Sequence, residues 1–408
     1  MFDSSGTQAA FDKPATRQPC SRQQGAEDAK LSQWRYIVQN FTPAWFSVNM
    51  GTGIVSILLN TLPYNGTWLY WLSIIIFALN VLLFGIFLSI TAIRYILYPD
   101  IFPVMVAHPA QSLFLGTLPM GFATIVNMFV FVCVPAWGEW AAYFAWAMWI
   151  ADAIVSVLTC FGIPFIMMTR KSEADLSAMG AAWLLPIVAC VVAAASGGIV
   201  AEVLPDPQYA LATILASYIL WGVGVPLALM VIVIYLHRLM LHKLPPKAII
   251  VSTFLPVGPL GQGGYGIQKL GNVAREILPK THTLHPGTGE TLDDMGFLIG
   301  LLLWAFGSLW LFFAVSSILR VRKFPFNLGW WAFTFPLGVF TTCTTQLGRD
   351  LPSRFFAVLG TVFSVCVVLL WIVVSGLTVH GIYNQTLFVA PCLKDLREKR
   401  ERNLEAGR

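Results

Sequence analysis

Ten stretches of this chain are apolar and long enough to cross a lipid bilayer, and nine of them contain no Asp, Glu, Lys, Arg or His. The hydrocarbon core of a bilayer is about 30 Å thick, and a helix needs roughly 20 apolar residues to cross it. The ten stretches are residues 44–61, 68–93, 111–136, 140–169, 181–200, 208–236, 248–268, 296–319, 328–348 and 356–379. The pattern predicts an all-α membrane protein with ten transmembrane helices.

The composition and the loops agree with a membrane protein. Charged residues make up 11% of the chain and hydrophobic residues 57%, whereas a soluble domain has about 25% charged residues. If the N-terminus is cytoplasmic, the inner loops carry nine Lys and Arg residues and the outer loops five. This asymmetry predicts that both termini are cytoplasmic. The net charge of +5 therefore reflects topology, and we expect no nucleic-acid partner.

We expect three regions along the chain. Residues 1–40 are polar and are predicted to be a disordered cytoplasmic tail, residues 41–385 form the ten-helix transport domain, and residues 386–408 form a cytoplasmic C-terminal tail. Residues 269–295 between two spans are interpreted as an exposed, mobile outer loop. The seven cysteines form no CxxC pair, so we expect most of them to be small buried residues and no metal site.

The odd-numbered spans share a pattern that the even-numbered spans lack. Each places a proline near Gly, Ser, Thr or Asn, and these prolines are Pro43, Pro119, Pro186, Pro256 and Pro336. Proline kinks a helix, and the freed backbone groups must lie in protein or along a water-filled cavity. The pattern predicts five helical hairpins, with five kinked helices as an inner ring around a pore and five plain helices outside. The alternative is that Pro and Gly are simply common in membrane helices.

The odd spans also carry the candidates for an anion path. Uncharged polar groups suit a path that ions must enter and leave easily. The candidates for lining it are Phe46, Asn49, Gly51, Asn127, Gly258, Gly261, Gln262, Thr341 and Thr345. For each of them, hydrogen bonding or packing between helices is the alternative. The segment GQGGYG (261–266) fits the dinucleotide pattern GxGxxG, but no strand precedes it, so we interpret it as pore wall or as a close helix contact.

Asp152 is the one charged residue within the spans. An intramembrane carboxylate costs about 2.5–3.5 kcal/mol on insertion scales, so it should be protonated or paired. Two roles stay open. It could couple transport to protons, or it could bond a neighbouring helix, for example through Ser156 or a tryptophan.

Three segments carry a resemblance to a known family. GTLPMGFATIVN (116–127), GPLGQGGYG (258–266) and WWAFTFPLG (330–338) are similar to signature segments of fungal sulfite efflux pumps. These belong to the tellurite-resistance and dicarboxylate transporter family, with plant slow anion channels, a bacterial tellurite-resistance protein and a yeast malate permease. The resemblance covers residues 40–385.

The resemblance implies an architecture and a function. It implies five hairpins in quasi-five-fold order around a central pore, trimers in which each protomer has its own pore, and export of sulfite across the plasma membrane. A malate-type permease or a general anion channel is the alternative. It also implies that a phenylalanine on the ninth helix occludes the pore. Within FTFPLG (333–338) we assign that role to Phe335 rather than Phe333, with ordinary packing as the alternative for Phe335.

The absence of several sequence motifs limits which energy sources the chain could use. The chain has no GxxxxGK[ST] loop, no HExxH and no cluster of nucleophile and base, so we expect no ATP hydrolysis, no cofactor and no enzymatic activity. An inside-negative membrane potential favours anion exit by about 2.3 kcal/mol per charge per 100 mV. A gated passive path is therefore sufficient to export hydrogensulfite.

Overall fold

The computed structural model describes residues 33–170 and 176–393, and these residues form helices with no strand among them. Ten of the helices have sixteen residues or more, and two are shorter. They are α1 (Gln33–Asn40), α2 (Phe46–Thr61), α3 (Thr67–Leu97), α4 (Ile101–Ala107), α5 (Thr117–Trp137), α6 (Glu139–Thr169), α7 (Leu184–Val203), α8 (Pro207–His242), α9 (Val257–Thr281), α10 (Thr288–Val321), α11 (Phe335–Asp350) and α12 (Arg354–Tyr383).

Seven helical segments of the described chain are long and apolar enough to cross a membrane, or eight if the bent pair α1 and α2 counts as one. The prediction of an all-helical, multi-pass membrane protein is therefore confirmed in this coarse form. Helices α9 and α11 are not among the seven. Charged residues follow Gln268 in α9, and α11 has 16 residues, four of which are threonines.

The long helices pair along the chain. Helix α2 contacts α3, α5 contacts α6, α7 contacts α8, α9 contacts α10, and α11 contacts α12. The first members of these pairs also contact one another in the order α2, α5, α7, α9, α11 and back to α2. We call these five the inner helices and their partners the outer helices. The apolar window of the segment Ala181–Val203 is 100% buried, whereas that of α3, α6 or α12 is 22% buried. The helices with small residues are thus the ones surrounded by protein.

Each inner helix is preceded by a short 3-10 segment, and the predicted prolines lie at these junctions. The segments are Pro43–Trp45, Ser112–Gly116, Ala181–Trp183, Lys247–Phe254 and Leu328–Phe333. Pro43 begins the first segment, Pro256 directly precedes α9, and Pro119, Pro186 and Pro336 lie in the first turns of their helices. The N–H groups of a first turn have no intrahelical partner, so a proline is tolerated there.

The prediction of proline kinks inside the inner helices is therefore corrected. The five prolines mark the change from 3-10 to α-helix and do not interrupt a continuous α-helix. The outer helices are also less plain than predicted, because Pro164 lies inside α6 and Pro226 inside α8.

Both predicted tails have a part that belongs to the folded body. Residues 33–40, placed in the disordered tail, form helix α1, which is bent by 84° from the following helical segment. The Tyr36 hydroxyl donates to the Phe388 carbonyl oxygen at 3.1 Å, and the Ala390 N–H donates to Asn40 Oδ1 at 3.1 Å. Residues 387–392 therefore pack against α1. The rest of the predicted tails, residues 1–32 and 394–408, lies outside the described residues.

The predicted outer loop 269–295 is largely helical. Helix α9 continues to Thr281 and α10 begins at Thr288, so the connection is residues 282–287. Beyond its apolar span α9 contains polar and charged residues, so the hydropathy pattern does not show that the helix continues. Among the described cysteines, Cys366 is exposed and the others are buried, as expected, whereas Cys20 lies outside the described residues.

Candidate functional site

Two cavities lie in series between the inner helices. The wide cavity has a volume of about 730 Å³ and is lined by the first turns of the inner helices, by the segments before them and by residues of the outer helices α6 and α8, among them Pro164, Met167 and Leu227. The narrow cavity has a volume of about 30 Å³ and is lined by residues nearer to the C-terminal ends of the inner helices. All five inner helices contribute side chains to both linings. The inner helices therefore surround the narrow cavity, and together with α6 and α8 they line the wide one.

Phe335 is the single described residue that lines both cavities. It is the first residue of α11 and is 4% exposed. The alternative residue, Phe333, lines neither cavity and packs against Phe254, with ring centroids 5.0 Å apart. Of the two phenylalanines in the motif, the structure places Phe335 at the boundary between the wide and the narrow space.

The two linings differ in polarity. The wide cavity is mostly apolar, with Met50, Met120, Leu185 and Pro336 among its lining residues. The narrow cavity carries amide, hydroxyl and guanidinium groups among apolar ones. Its polar lining residues are Thr61, Thr124, Asn127, Gln262, Tyr265, Thr342, Thr345, Gln346 and Arg349.

About half of the predicted path residues line a cavity. Asn127, Gln262 and Thr345 line the narrow cavity, and Gly258 lines the wide one, with Pro186 and Pro336. The predicted residues that line neither cavity are Phe46, Asn49, Gly51, Gly261, Thr341, Pro43, Pro119 and Pro256.

Two polar residues that line neither cavity, Asn49 and Thr341, form hydrogen bonds between or within helices. Asn49 Nδ2 donates to the Asn80 carbonyl oxygen at 3.2 Å and to Asn80 Oδ1 at 3.1 Å. Asn80 Nδ2 in turn donates to Thr124 Oγ1 at 3.1 Å. This buried chain of hydrogen bonds joins α2, α3 and α5. The Thr341 hydroxyl donates to the Leu337 carbonyl oxygen at 2.7 Å within α11.

The remaining members pack against aromatic rings or backbone. Phe46 contacts Phe84 and Phe87 on α3, with centroid distances of 5.6 and 6.3 Å. A Cβ at Gly51 would collide with Trp331 and Thr334, and a Cβ at Gly261 would lie 2.5 Å from Phe340 Cα. At these three positions the residue packs between helices and does not line the path.

Sequence reasoning missed Tyr265, Gln346 and Arg349, all of which line the narrow cavity. The signal that could have found the last two is the helical period starting from Phe335. Cavity residues on α11 are Phe335, Val339, Thr342, Thr345, Gln346 and Arg349, and their spacing of three or four places them on one helix face. Tyr265 follows Gln262 by three residues in the same way.

The charges around the cavities favour anions. No aspartate or glutamate of the described residues lines either cavity, whereas Arg170 lines the wide one and Arg349 the narrow one. The N-termini of all five inner helices lie around the wide cavity. Helix N-termini carry partial positive charge, which attracts anions. The 3-10 segments already accept from N–H groups at the start of these helices, for example from Thr117 and Leu184, so the attraction comes from the helix dipoles.

Hydrogen-bond donors in the narrow cavity come from amides more than from hydroxyls. The Thr342 and Thr345 hydroxyls already donate to backbone carbonyls of α11, at 2.8 and 2.9 Å. They can donate to an anion only by giving up these bonds. Asn127 Oδ1 is a buried acceptor without a partner among the described residues, and a carbonyl oxygen cannot donate to an anion. The side-chain donors that line the narrow cavity and are left for an anion are the amide N–H groups of Asn127 and Gln262, the Tyr265 hydroxyl and the Arg349 guanidinium.

Asp152 lies in α6, is 2% exposed and lines neither cavity. Neither of its carboxyl oxygens has a hydrogen-bond partner within the described part of the chain, and the Ser156 hydroxyl has none either. The nearby Trp149 Nε1 donates instead to the Ala193 carbonyl oxygen at 2.8 Å. The predicted bond to Ser156 or a tryptophan is thus not formed.

Replacing Asp152 by asparagine should leave anion flux and its pH dependence unchanged. The side chain is separated from both cavities, and asparagine has the same shape without a proton to exchange. Flux from reconstituted vesicles at several pH values measures this, with the elution profile in detergent as the check on folding. Loss of the pH dependence in a folded Asp152→Asn variant would instead assign the coupling role to this residue.

Residues 40–379 match the family model described as the voltage-dependent anion channel, SLAC1. The chain is 53% identical over 364 residues to the sulfite efflux pump SSU1 of Arthroderma benhamiae, which covers 89% of this chain and 96% of that protein. The sulfite efflux pump SSU1 of Candida albicans is 33% identical, covering 80% and 71%. The malic acid transport protein of Schizosaccharomyces pombe is 24% identical, covering 84% and 79%.

Proposed function

Because the chain belongs to the voltage-dependent anion channel family, we propose that it exports sulfite, as hydrogensulfite or the dianion, across the membrane. The relatives described above are named as channels and transporters, which confirms the expectation that the chain is not an enzyme. The identity of 53% to a sulfite efflux pump, against 24% to a malic acid transport protein, favours sulfite over malate as the substrate.

The observation that carries the proposal is the position of Phe335 between two cavities, neither of which is lined by a carboxylate of the described residues. An anion enters the wide cavity, where five helix N-termini compensate part of its lost hydration. It then meets the Phe335 ring, which closes the way to the narrow cavity. Apolar constrictions of this kind gate ion paths by excluding water. Beyond Phe335, Asn127 and Gln262 offer uncharged donors that bind the anion weakly enough to release it.

We also propose that all ten long helices cross the membrane as five hairpins in quasi-five-fold order around this path. The closed order of contacts among the inner helices supports the proposal. Helix α11 continues the 3-10 segment Leu328–Phe333, so the two together have the length that a crossing needs. Its threonines do not meet lipid because residues 335–347 are buried.

Exposed aromatic side chains support one membrane boundary. They cluster near the first turns of α3, α6 and α8, and they are Tyr64, Trp68, Trp71, Trp137, Trp140 and Tyr209. Trp and Tyr concentrate at the interface between lipid and water. Together with the excess of Lys and Arg on the opposite side, this supports an orientation with the narrow cavity outside, the wide cavity inside and both termini in the cytoplasm. Residues 41–385 are then the transport domain, in the plasma membrane, and trimers follow from the family resemblance.

Sulfite flux from proteoliposomes tests the proposed function. The purified chain is reconstituted, sulfite, malate, nitrate and chloride are loaded separately, and a potential that is negative inside is imposed. We expect sulfite to leave faster than malate, with a rate that increases with the potential. Malate flux without sulfite flux would show that the chain is a dicarboxylate permease. Empty vesicles and vesicles with heat-denatured protein are the controls.

A further inference from the structure

A network of charged and amide groups lies at the C-terminal ends of the inner helices, next to the narrow cavity. Two ion pairs belong to it. Lys269 Nζ lies 2.6 Å from Glu202 Oε1, and Arg275 Nη1 lies 3.2 Å from Asp293 Oδ2. These pairs join α9 to α7 and α9 to α10. They leave Asp350 and Arg349, at the end of α11, as the remaining charges of the network.

Amide groups hold the carboxylates of this network in place. Asn272 Nδ2 donates to Asp293 Oδ1 at 2.6 Å. Gln346 Nε2 donates to Asp350 Oδ1 at 2.8 Å and to Asn272 Oδ1 at 2.9 Å. None of these carboxylates lines the narrow cavity. The negative charges are therefore held beside the path and are not part of its lining.

Unlike Lys269 and Arg275, Arg349 has no carboxylate within 4.0 Å of its guanidinium among the described residues. Its Nη2 donates to the Thr61 carbonyl oxygen at 2.9 Å, which fixes the side chain against the end of α2. A guanidinium has five N–H donors, so most of them stay available. Arg349 is exposed and lines the narrow cavity together with Tyr265 and Thr61.

We propose that Arg349, with Tyr265 beside it, forms a second binding site for small oxyanions, in series with the constriction at Phe335. This inference rests on the proposed function and adds to it the residue that receives the anion after the gate. The planar fork of a guanidinium matches two oxygens of an oxyanion. Because the group is exposed, the attraction is screened and the anion can leave.

The test places opposite charges at the same position. The Arg349→Cys variant is reconstituted, its sulfite efflux is measured, and the vesicles are then treated from the side of the narrow cavity with a cationic or an anionic methanethiosulfonate reagent. We expect Arg349→Cys to lower the efflux about fivefold, the cationic reagent to restore it, and the anionic reagent to lower it further. Arg349→Lys should keep most of the efflux, because the charge is retained.

The matched control is Arg354→Cys. Arg354 is an exposed arginine at the first position of α12, and it lines neither cavity. Neither reagent should change its efflux, and the unsubstituted chain treated with the same reagents corrects for Cys366, which is exposed. Equal effects of the two reagents on Arg349→Cys, or full efflux in that variant, would overturn the second site while sulfite efflux by the unsubstituted chain persists. Absence of sulfite efflux in the unsubstituted chain would instead refute the proposed function.

Discussion

Replacing Phe335 by alanine is expected to raise basal sulfite flux about tenfold, the factor that corresponds to a barrier lowered by about 1.4 kcal/mol. The ring is 4% exposed and lies between cavities of about 730 and 30 Å³. Its removal joins the two spaces, so that water and an anion can pass without displacing an apolar group. Efflux from vesicles without an imposed potential measures the basal flux.

The control for this variant is Phe333→Ala. Both residues are buried phenylalanines of the same motif, and truncation of either is expected to cost about 3–5 kcal/mol of stability. Phe333, however, packs among Phe254, Phe324 and Trp330 outside both cavities. Its truncation should therefore lower the thermal stability without raising the flux. A similar increase in both variants would show that loosened packing, and not an opened constriction, raises the flux.

The fold class could be predicted from the sequence because contact with lipid restricts which residues a membrane-crossing helix can contain. A crossing helix that faces lipid must be apolar for about 20 residues, and the outer helices follow this rule. The inner helices are released from that rule because protein surrounds them. Helix α11 can therefore be short and rich in threonine, and α9 can continue into a charged segment that hydropathy interprets as a loop.

The individual path residues were harder to predict because a buried polar side chain can either form a hydrogen bond with a neighbouring helix or line the cavity. Asn49 and Asn127 lie on inner helices and are both buried, at 0% and 5% exposure. Asn49 donates to Asn80 on the neighbouring outer helix, whereas Asn127 has no such partner in the part of the chain that the structure describes and lines the narrow cavity. Which neighbour a side chain meets depends on the rotation of each helix, and the sequence of that helix alone does not determine it. Periodicity from Phe335 would have identified Gln346 and Arg349.

The glycines of the segment 258–266 allow the sharpest test of helix packing. A Cβ at Gly261 would lie 2.5 Å from Phe340 Cα and 2.6 Å from Phe340 N. These are backbone atoms of α11, and they can move only if α9 and α11 separate. A Cβ at Gly258 would find its nearest neighbour, Pro336 Cβ, at 3.8 Å, which is an ordinary contact. The close approach of α9 and α11 therefore requires glycine at position 261 but leaves room for a Cβ at position 258.

Gly261→Ala is accordingly expected to destabilise the protein by about 1–3 kcal/mol, as overpacking of a close contact does. Gly258→Ala should leave the stability unchanged or raise it by up to about 1 kcal/mol, because alanine favours a helix over glycine. Thermal unfolding in detergent, followed by tryptophan fluorescence, measures both. Equal losses in the two variants would mean that close approach of α9 and α11 is not what Gly261 provides. The predicted difference matters for transport because α9 carries Gln262 and α11 carries Phe335, so the same contact sets the width of the path at its constriction.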